Sequence, residues 1–193
     1  MESPEEELRW VESAIAGDQG AFAQLVDRYK APVYSLAYRM LGNSGDAEDA
    51  AQEIFVRAYT KLATFDRGRR FSTWLLSIGS NYCIDVLRRR RATIVDLDDV
   101  AFAVPDQAPG PERSAVDQEQ RRAVARAVQR LPETYRLVTV LRYYHDLSYE
   151  EIERTTGLSE ATIKTRLFRA RRQLEALLEQ EGALPWTAEP HTP

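Results

Sequence analysis

Residues 147–174 read LSYEEIERTTGLSEATIKTRLFRARRQL, and this stretch decides the fold of the C-terminal half of the chain. Ser148 and Glu151 have the spacing of a capping box, so a short helix is predicted to begin after Ser148. Gly157 suits the left-handed residue that ends a helix, and Ser159 is a favourable cap for the next one. The pattern therefore predicts a helix-turn-helix.

The second of these helices has two distinct faces. One is an apolar stripe that predicts a buried side, formed by Ile163, Leu167, Ala170, Leu174 and Leu177. The opposite face and its flanks are polar and basic, and carry Thr162, Lys164, Thr165, Arg166, Phe168, Arg169, Arg171 and Arg172. Such side chains suit base edges and phosphates in a DNA major groove. A solvated basic face is the alternative, but short threonines and exposed Phe168 argue against it.

The charge distribution divides the chain into segments. The whole protein has 193 residues, 44% hydrophobic content and a net charge of −4. Residues 64–91 and 121–178 each carry a net charge of +5, whereas residues 92–120 carry −6. Two basic blocks separated by an acidic one predict two surfaces that meet phosphates, joined by a segment that avoids them.

The apolar spacing is helical on both sides of residues 92–120, which contain three prolines and follow no regular period. The predicted fold is therefore all-α, with two small helical domains, residues 1–91 and 121–178. A flexible acidic linker, residues 92–120, is predicted to join them. Residues 179–193 are predicted to form a disordered tail.

Residues 42–65, GNSGDAEDAAQEIFVRAYTKLATF, predict a helix capped near Ser44 or Asp46. Its apolar face comprises Ala47, Ala51, Ile54, Ala58 and Leu62. Asp46, Asp49 and Glu53 lie within about 60° of one another on the other face. Helix capping explains acidic residues in the first turn, but Glu53 lies too far along the helix for that role. The stripe therefore indicates a basic protein partner.

Residues 64–91 predict a polar loop, residues 64–70, and then a helix that starts near Ser72 and ends in four arginines. Phe65, Phe71 and Trp74 lie close to the basic side chains in sequence. Arginines together with aromatic rings suit single-stranded DNA, because rings stack on unpaired bases while cations bind the backbone. The alternative is that Phe71 and Trp74 pack in the core or at its rim and contact no base.

Several classes of function are not supported by the sequence. It contains no recognisable nucleophile, metal site or phosphate-binding glycine loop, so neither an enzyme nor a cofactor is predicted. His145 and His191 are far apart, and Cys83 is predicted to be a small buried residue. The chain has no apolar run long enough to cross a membrane, and its acidic N-terminus is unlike a secretory signal. The predicted location is the cytoplasm.

Three ordered stretches resemble those of extracytoplasmic-function (ECF) sigma factors of bacterial RNA polymerase. Residues 46–59 are similar to the family's core-binding region, and residues 71–91 to the region that melts and reads the minus-ten promoter element. Residues 131–174 are similar to the region that reads the minus-thirty-five element. The resemblance extends over roughly residues 10–178, although residues 92–120 match only in position and acidity.

The resemblance implies three contact surfaces. The surface for the polymerase β′ clamp helices would comprise Asp46, Asp49, Gln52, Glu53 and Val56. The minus-ten surface would comprise the loop 64–70, which forms a pocket for a flipped base, and the residues Arg67, Arg69, Arg70, Trp74, Asn81, Arg88, Arg89, Arg90 and Arg91. The basic face of the helix-turn-helix would read the minus-thirty-five bases, with Arg166 and Arg171 on phosphates.

The resemblance also implies partners. They are core RNA polymerase, through its β′ clamp helices and β flap, promoter DNA, and a cognate anti-sigma protein. The acidic linker would pass through the RNA exit region of the polymerase. One departure from the family pattern is that Gly79 and Ser80 precede Asn81, and a mid-helix glycine indicates a bend or close packing there.

Two other classes of protein remain as alternatives. A self-sufficient helix-turn-helix regulator, with an N-terminal sensing or dimerisation domain, would bind its promoter without polymerase. The acidic stripe argues against it. An adaptor whose basic faces bind acidic proteins would show no salt-dependent, sequence-specific binding to a promoter duplex.

Overall fold

The computed structural model describes residues 4–94 and 115–182, and in these ranges every regular element is a helix. The first unit contains α1 (Pro4–Ile15), α2 (Gln19–Leu41), α3 (Ser44–Lys61), a 3₁₀ turn (Leu62–Thr64) and α4 (Phe71–Ile94). The second contains α5 (Ala115–Arg130), α6 (Glu133–Tyr143), α7 (Tyr149–Thr156) and α8 (Glu160–Gln180). The predicted all-α class is confirmed.

Helix α2 is the centre of the first unit and packs against α1, α3 and α4. Asp18 caps its start through bonds from the backbone N–H groups of Gly20 and Ala21. Its end is set by Gly42, which adopts the left-handed conformation with a φ of 91°. Apolar side chains along α2, among them Leu25, Leu36 and Met40, are fully buried and form the core of this unit.

Helix α3 begins one residue earlier than the predicted caps allow. Asn43 is its N-cap and accepts a hydrogen bond from the backbone N–H of Asp46, so the prediction of Ser44 or Asp46 as the cap is wrong. The apolar face is as predicted for Ala47, Ile54, Ala58 and Leu62. Ala50 is buried as well, whereas Ala51 is only half-buried.

Gly79 lies where α4 approaches its neighbours most closely. A Cβ atom at this position would lie 2.8 Å from Cδ2 of Leu36 and 3.4 Å from Cδ1 of Ile54. Both neighbouring side chains are fully buried, so they have little freedom to move away. The glycine that the sequence marks as a bend or a close contact is a close contact between three helices.

Replacing Gly79 with valine should therefore lower the free energy of unfolding by about 1–3 kcal/mol, because it overpacks the junction of α2, α3 and α4. Valine is also unfavourable in a helix interior through its restricted χ1 angle. Thermal or urea unfolding measures the loss. Ala63→Val, in the exposed 3₁₀ turn, is the control, and equal stability of the two variants would contradict close packing at Gly79.

The second unit follows the local sequence signals. Ser148 and Glu151 form the predicted capping box, Gly157 is left-handed with a φ of 70°, and Ser159 caps α8. Pro132 is the N-cap of α6. The buried stripe of α8 is as predicted through Leu174, but its last member is Leu178, whereas Leu177 is partly buried.

The predicted segment boundaries need correction. Residues 92–94 continue α4 and residues 115–120 open α5, so the linker is shorter than the predicted range 92–120. Residues 179 and 180, which were predicted to belong to the tail, end α8. Residues 95–114, like residues 183–193, lie outside the described residues, and so do the predictions of a flexible linker and a disordered tail.

The two units contact each other. Helix α7 packs against α4, and both α5 and α6 pack against α2. Cys83 is fully buried in the first unit, as predicted, and burial raises the pKa of its thiol to about 12. No helix in the two described ranges has the length and apolar character required to cross a membrane.

Candidate functional site

The basic face of α8 is exposed along most of its length. Phe168 is 63% exposed, an unusual position for a phenylalanine in a unit with a well-formed core. Lys164, Thr165, Arg169, Arg171 and Arg172 are also exposed, while Thr162 and Arg166 are half-buried. Two cations pair along the helix: Lys164 Nζ lies 2.6 Å from Glu160, and Arg171 Nε lies 3.2 Å from Glu175. Both pairs are solvent-exposed and easily exchanged for phosphate.

A groove of about 470 Å³ runs between this face and the start of α6. Its lining comprises Thr134, Tyr135, Ala161, Thr162, Thr165, Arg166 and Arg169. The two threonines and two arginines of α8 in this set were predicted as DNA contacts. Arg169 Nη1 lies 3.5 Å from the hydroxyl oxygen of Tyr135. Thr134 and Tyr135 are not among the predicted contact residues, because they lie before the helix-turn-helix, in the first turn of α6.

The loop before α4 is a turn organised by Asp66. Its Oδ1 accepts a hydrogen bond from the backbone N–H of Gly68 at 2.9 Å, and its carbonyl accepts one from Arg69 at 3.0 Å. Each loop arginine also faces an acidic group: Arg67 lies 3.5 Å from Glu12, Arg69 lies 3.6 Å from Asp66, and Arg70 lies 3.2 Å from Glu151. The side chains of these arginines remain 48–76% exposed and are available to a ligand.

A cleft of about 470 Å³ lies beneath this loop. Its lining includes Leu8, Arg28, Tyr29, Phe65 and residues 67–72. The carboxylate of Glu7 holds two of these groups in place, accepting a hydrogen bond from the Tyr29 hydroxyl and pairing with Arg28 at 3.2 Å. Burial and the nearby Glu7 raise the pKa of Tyr29, so its hydroxyl is a stable donor.

Three aromatic residues form the wall behind the loop. The ring centroids of Phe65, Phe71 and Trp74 lie 5.4–5.5 Å from one another, and Tyr29 lies 5.4 Å from Phe71. Phe65 and Phe71 are buried, whereas Trp74 is half-buried. The alternative interpretation of Phe71 as a core residue is therefore confirmed, and only Trp74 retains an accessible edge.

The exposed side of α4 carries Asn81, Arg88, Arg89 and Arg91. Arg90 differs from them, because it pairs with Asp46 and lies 3.5 Å from the carbonyl oxygen of Leu41. Only 30% of its side chain is exposed. Arg90 thus ties α4 to the end of α2 and the first turn of α3, and it supports the surface from within.

The acidic stripe of α3 lies on the surface. Asp49, Gln52 and Val56 are exposed, and Val56 is 60% exposed. Glu53 pairs with Arg57 at 2.7 Å, and Arg57 in turn stacks over the ring of Tyr82. Asp46 lies at the edge of the stripe. Its carboxylate pairs with Arg90 and accepts a hydrogen bond from the side-chain amide of Asn43.

An apolar groove adjoins this stripe, and the sequence analysis did not identify it. Its lining comprises Gln19, Phe22, Phe55, Val56, Tyr59 and Thr60. Phe22 and Tyr59 meet edge to face with their centroids 4.8 Å apart, and Tyr59 is 45% exposed. The groove joins the first turns of α2 to α3, so no single sequence motif contains it.

The part of the chain that the structure describes contains no group of three or more His, Cys, Asp or Glu side chains that could hold a metal ion. His145 is half-buried, and burial together with the nearby Arg39 lowers its pKa to about 4. The imidazole is therefore neutral near pH 7. His191 lies outside the described residues.

Comparisons with known proteins match both units. Residues 25–93 match the model of Sigma-70 region 2, and residues 121–174 match that of Sigma-70, region 4. The ECF RNA polymerase sigma factor SigW of Bacillus subtilis (strain 168) is 41% identical over 172 residues, covering 85% of this chain and 90% of its own.

Two solved structures are also similar. The chain of CnrH, in complex with the cytosolic domain of CnrY, gives a TM-score of 0.68 at 30% identity, over 91% of this chain and 99% of CnrH. The sigma factor RpoE, in complex with the anti-sigma factor NepR from Bartonella quintana, gives 0.69 at 26% identity, over 82% and 96%. Each likeness therefore covers most of both chains.

Proposed function

Because the chain belongs to the ECF subfamily of bacterial RNA polymerase sigma factors, we propose that its acidic stripe and two basic surfaces are the contacts of an alternative initiation factor. Such a protein binds core polymerase and directs it to specific promoters. One observation carries this assignment. The unit that matches region 2 has an acidic helix and a basic surface, and the following unit, which matches region 4, has a second basic surface.

The polymerase contact is assigned to α3. Asp49, Gln52 and Val56 offer the β′ clamp helices a carboxylate, an amide and an apolar side chain on one exposed strip. Glu53, held by Arg57, extends the strip, and Asp46 marks its edge. The groove at Phe22 and Tyr59 supplies apolar area beside the charges, which a stable interface needs at its centre.

The minus-ten contact is assigned to the loop 64–70 and the exposed side of α4. The cleft beneath the loop is large enough for a nucleobase, and its lining includes Tyr29, Phe65 and Phe71. Arg67, Arg69 and Arg70 surround the opening. Asn81 faces the displaced strand, and Arg88, Arg89 and Arg91 face the adjoining duplex backbone.

The minus-thirty-five contact is assigned to α8 as a recognition helix in the major groove. Lys164, Thr165 and Arg169 are exposed at its centre and reach hydrogen-bonding base edges, while Phe168 meets thymine methyl groups. Thr162 lies at the N-terminal end of the same face. The flanking Arg166, Arg171 and Arg172 are placed for phosphates.

Binding energy rather than covalent chemistry explains the activity. Each DNA-binding unit alone is weak, but polymerase presents both to two elements at a fixed spacing, so their affinities combine through effective concentration. Extruding bases from the duplex costs roughly a few kcal/mol, and contacts to the unstacked bases offset this cost. We therefore propose that the protein is not an enzyme and that it acts in the cytoplasm, where polymerase and the chromosome are found.

A protein inhibitor is the remaining partner. Both structural relatives described above were solved in complexes, and NepR is described as an anti-sigma factor. We assign to this chain an anti-sigma protein that covers its polymerase-facing and DNA-facing surfaces.

We also propose a second contact with polymerase, between the region 4 unit and the β flap.

Run-off transcription tests the function. Core polymerase is incubated with a fragmented genomic library, with and without this protein, and the transcripts are sequenced. Start sites that appear only with the protein, and that share two elements at constant spacing, are the expected result. Specific promoter binding without polymerase, and no new start sites with it, would instead identify a self-sufficient regulator. Failure to bind any DNA would favour the adaptor.

A further inference from the structure

A carboxylate and a guanidinium meet in the cleft beneath the loop 64–70. Glu7 of α1 and Arg28 of α2 both line this cleft, and Oε2 of Glu7 lies 3.2 Å from Nε of Arg28. Only 16% of the Glu7 side chain and 29% of the Arg28 side chain are exposed. An ion pair with so little exposure is screened by salt much less than a pair on the protein surface.

Further contacts hold Glu7 in this position. Its Oε2 atom also accepts a hydrogen bond from the hydroxyl of Tyr29, whose ring centroid lies 5.4 Å from that of Phe71. Helix α1 is fixed to the rest of the unit by Val11 and Ala14, which are both buried. The carboxylate therefore faces Arg28 before any ligand enters the cleft.

Arg28 differs from the other cations of the cleft. Arg67, Arg69 and Arg70 surround the opening, and at least 48% of each side chain is exposed. Of the arginines that line the cleft, Arg28 is the least exposed. A guanidinium binds phosphate through strong charge-assisted hydrogen bonds. Without the charge of Glu7, Arg28 would therefore favour a phosphate inside the cleft.

A nucleobase makes a different demand on the cleft. It carries no net charge, so it cannot compensate a guanidinium that is largely withdrawn from water. Glu7 supplies this compensation from within the protein. The interior of the cleft then suits a neutral base, while the exposed arginines at the opening remain available for the phosphates on either side of that base.

We propose that Glu7 determines the specificity of this cleft: it neutralises Arg28, so that the cleft admits a base and rejects a phosphate. The pairing stands on the contacts alone, whereas the identity of the ligand as a promoter base rests on the proposed function. Glu7 precedes residues 25–93, which match Sigma-70 region 2, and no motif in the sequence analysis includes it.

Glu7→Gln is the variant that tests this role. The amide keeps the length of the side chain and an oxygen that can accept from the Tyr29 hydroxyl, but it removes the charge that faces Arg28. A double variant, Glu7→Gln with Arg28→Gln, removes both charges of the pair. Glu179→Gln makes the same change at an exposed position of α8, away from the cleft. Circular dichroism verifies that all three variants are folded.

Thermal unfolding of the full-length protein in inorganic phosphate, compared with chloride at the same ionic strength, measures phosphate binding. A ligand that binds only the folded state raises Tm. Phosphate should raise the Tm of Glu7→Gln by about 2–4 °C more than that of the parent protein. The double variant and Glu179→Gln should respond as the parent does. Equal phosphate-dependent shifts for Glu7→Gln and the double variant would overturn the proposal.

Two single strands of about 16 nucleotides, one with mixed bases and one with abasic sites throughout, measure the preference for a base. The parent protein should bind the strand that carries bases more tightly. For Glu7→Gln, affinity for the abasic strand should rise about tenfold, because Arg28 gains a charge-assisted contact to phosphate. The salt dependence of that binding should steepen by about 0.7 unit of slope.

Two outcomes of the strand comparison would contradict the proposal. One is a parent protein that does not distinguish the two strands, and the other is a Glu7→Gln variant that keeps the full preference of the parent. Both measurements are independent of run-off transcription. Failure of transcription would remove the promoter as the ligand and leave the selection between base and phosphate intact.

Discussion

Asp49→Lys should strongly weaken the association of this sigma factor with core polymerase. Asp49 is exposed at the centre of the α3 stripe, next to Gln52 and Val56. The substitution removes an attraction and sets a cation against a basic partner surface, and such a like-charge pair costs several kcal/mol. The expected loss of affinity is on the order of 100-fold. Titration of the fluorescently labelled protein with core polymerase measures it.

Asp27→Lys is the matched control, because Asp27 is an exposed acidic residue of the same unit on α2, outside the stripe. Its affinity for polymerase should remain within about twofold of the parent, since an isolated surface charge at a distance is largely screened by salt. Asp49→Asn should give an intermediate loss. Equal affinities for Asp49→Lys and Asp27→Lys would exclude α3 as the docking helix.

The sequence predicted features that depend on local chemistry. A capping box needs only Ser148 and Glu151 at the right spacing, and the turn needs a residue such as Gly157 that tolerates positive φ. Neither feature needs knowledge of the rest of the chain. The register of α3 was harder, because Asn43, Ser44 and Asp46 are all good caps and lie within four residues of one another.

Two other errors have different causes. The acidic start of α5, AVDQEQ, falls in the predicted linker, yet alanine, glutamine and glutamate are good helix formers, so local propensity already favours a helix there. At the other end of the unit, Leu177 and Leu178 are neighbours in sequence. Helix α5 packs against α8, and Leu178 is fully buried whereas Leu177 is only partly buried. The 3.6-residue period alone does not distinguish these two positions.

The candidate surfaces were predicted as faces but not as contacts. The sequence pattern grouped Arg90 with its neighbouring arginines. It gave no sign that Arg90 would form an ion pair with Asp46. Similarly, Trp74 was predicted as a DNA contact, but Phe65 and Phe71 cover much of its ring. The contact of the second unit with the carboxyl end of α2 is a stronger case. Gln129 and Arg136 bind backbone carbonyls there, which every residue has, so no side-chain pattern in the sequence marks the contact.

Arg169→Ala should produce the largest loss of promoter selectivity. The guanidinium is exposed on the recognition face, and its Nη1 lies 3.5 Å from the Tyr135 hydroxyl, which orients it along the groove. A guanidinium that binds the edge of a base pair contributes about 1–3 kcal/mol of discrimination. In the holoenzyme, affinity for the preferred minus-thirty-five element should therefore fall by roughly 10- to 100-fold.

The pattern of the loss separates base reading from phosphate binding. For Arg169→Ala, discrimination should disappear at one base pair of the element and persist at the others. Arg171→Ala, on the flank of the same helix, should weaken all sequences alike and reduce the salt dependence of binding by about one unit of slope. Competition between all single-base variants of the element, at two salt concentrations, distinguishes the two. A uniform loss for Arg169→Ala would place this side chain on the phosphate backbone, because only a contact to a base edge can weaken one sequence more than another.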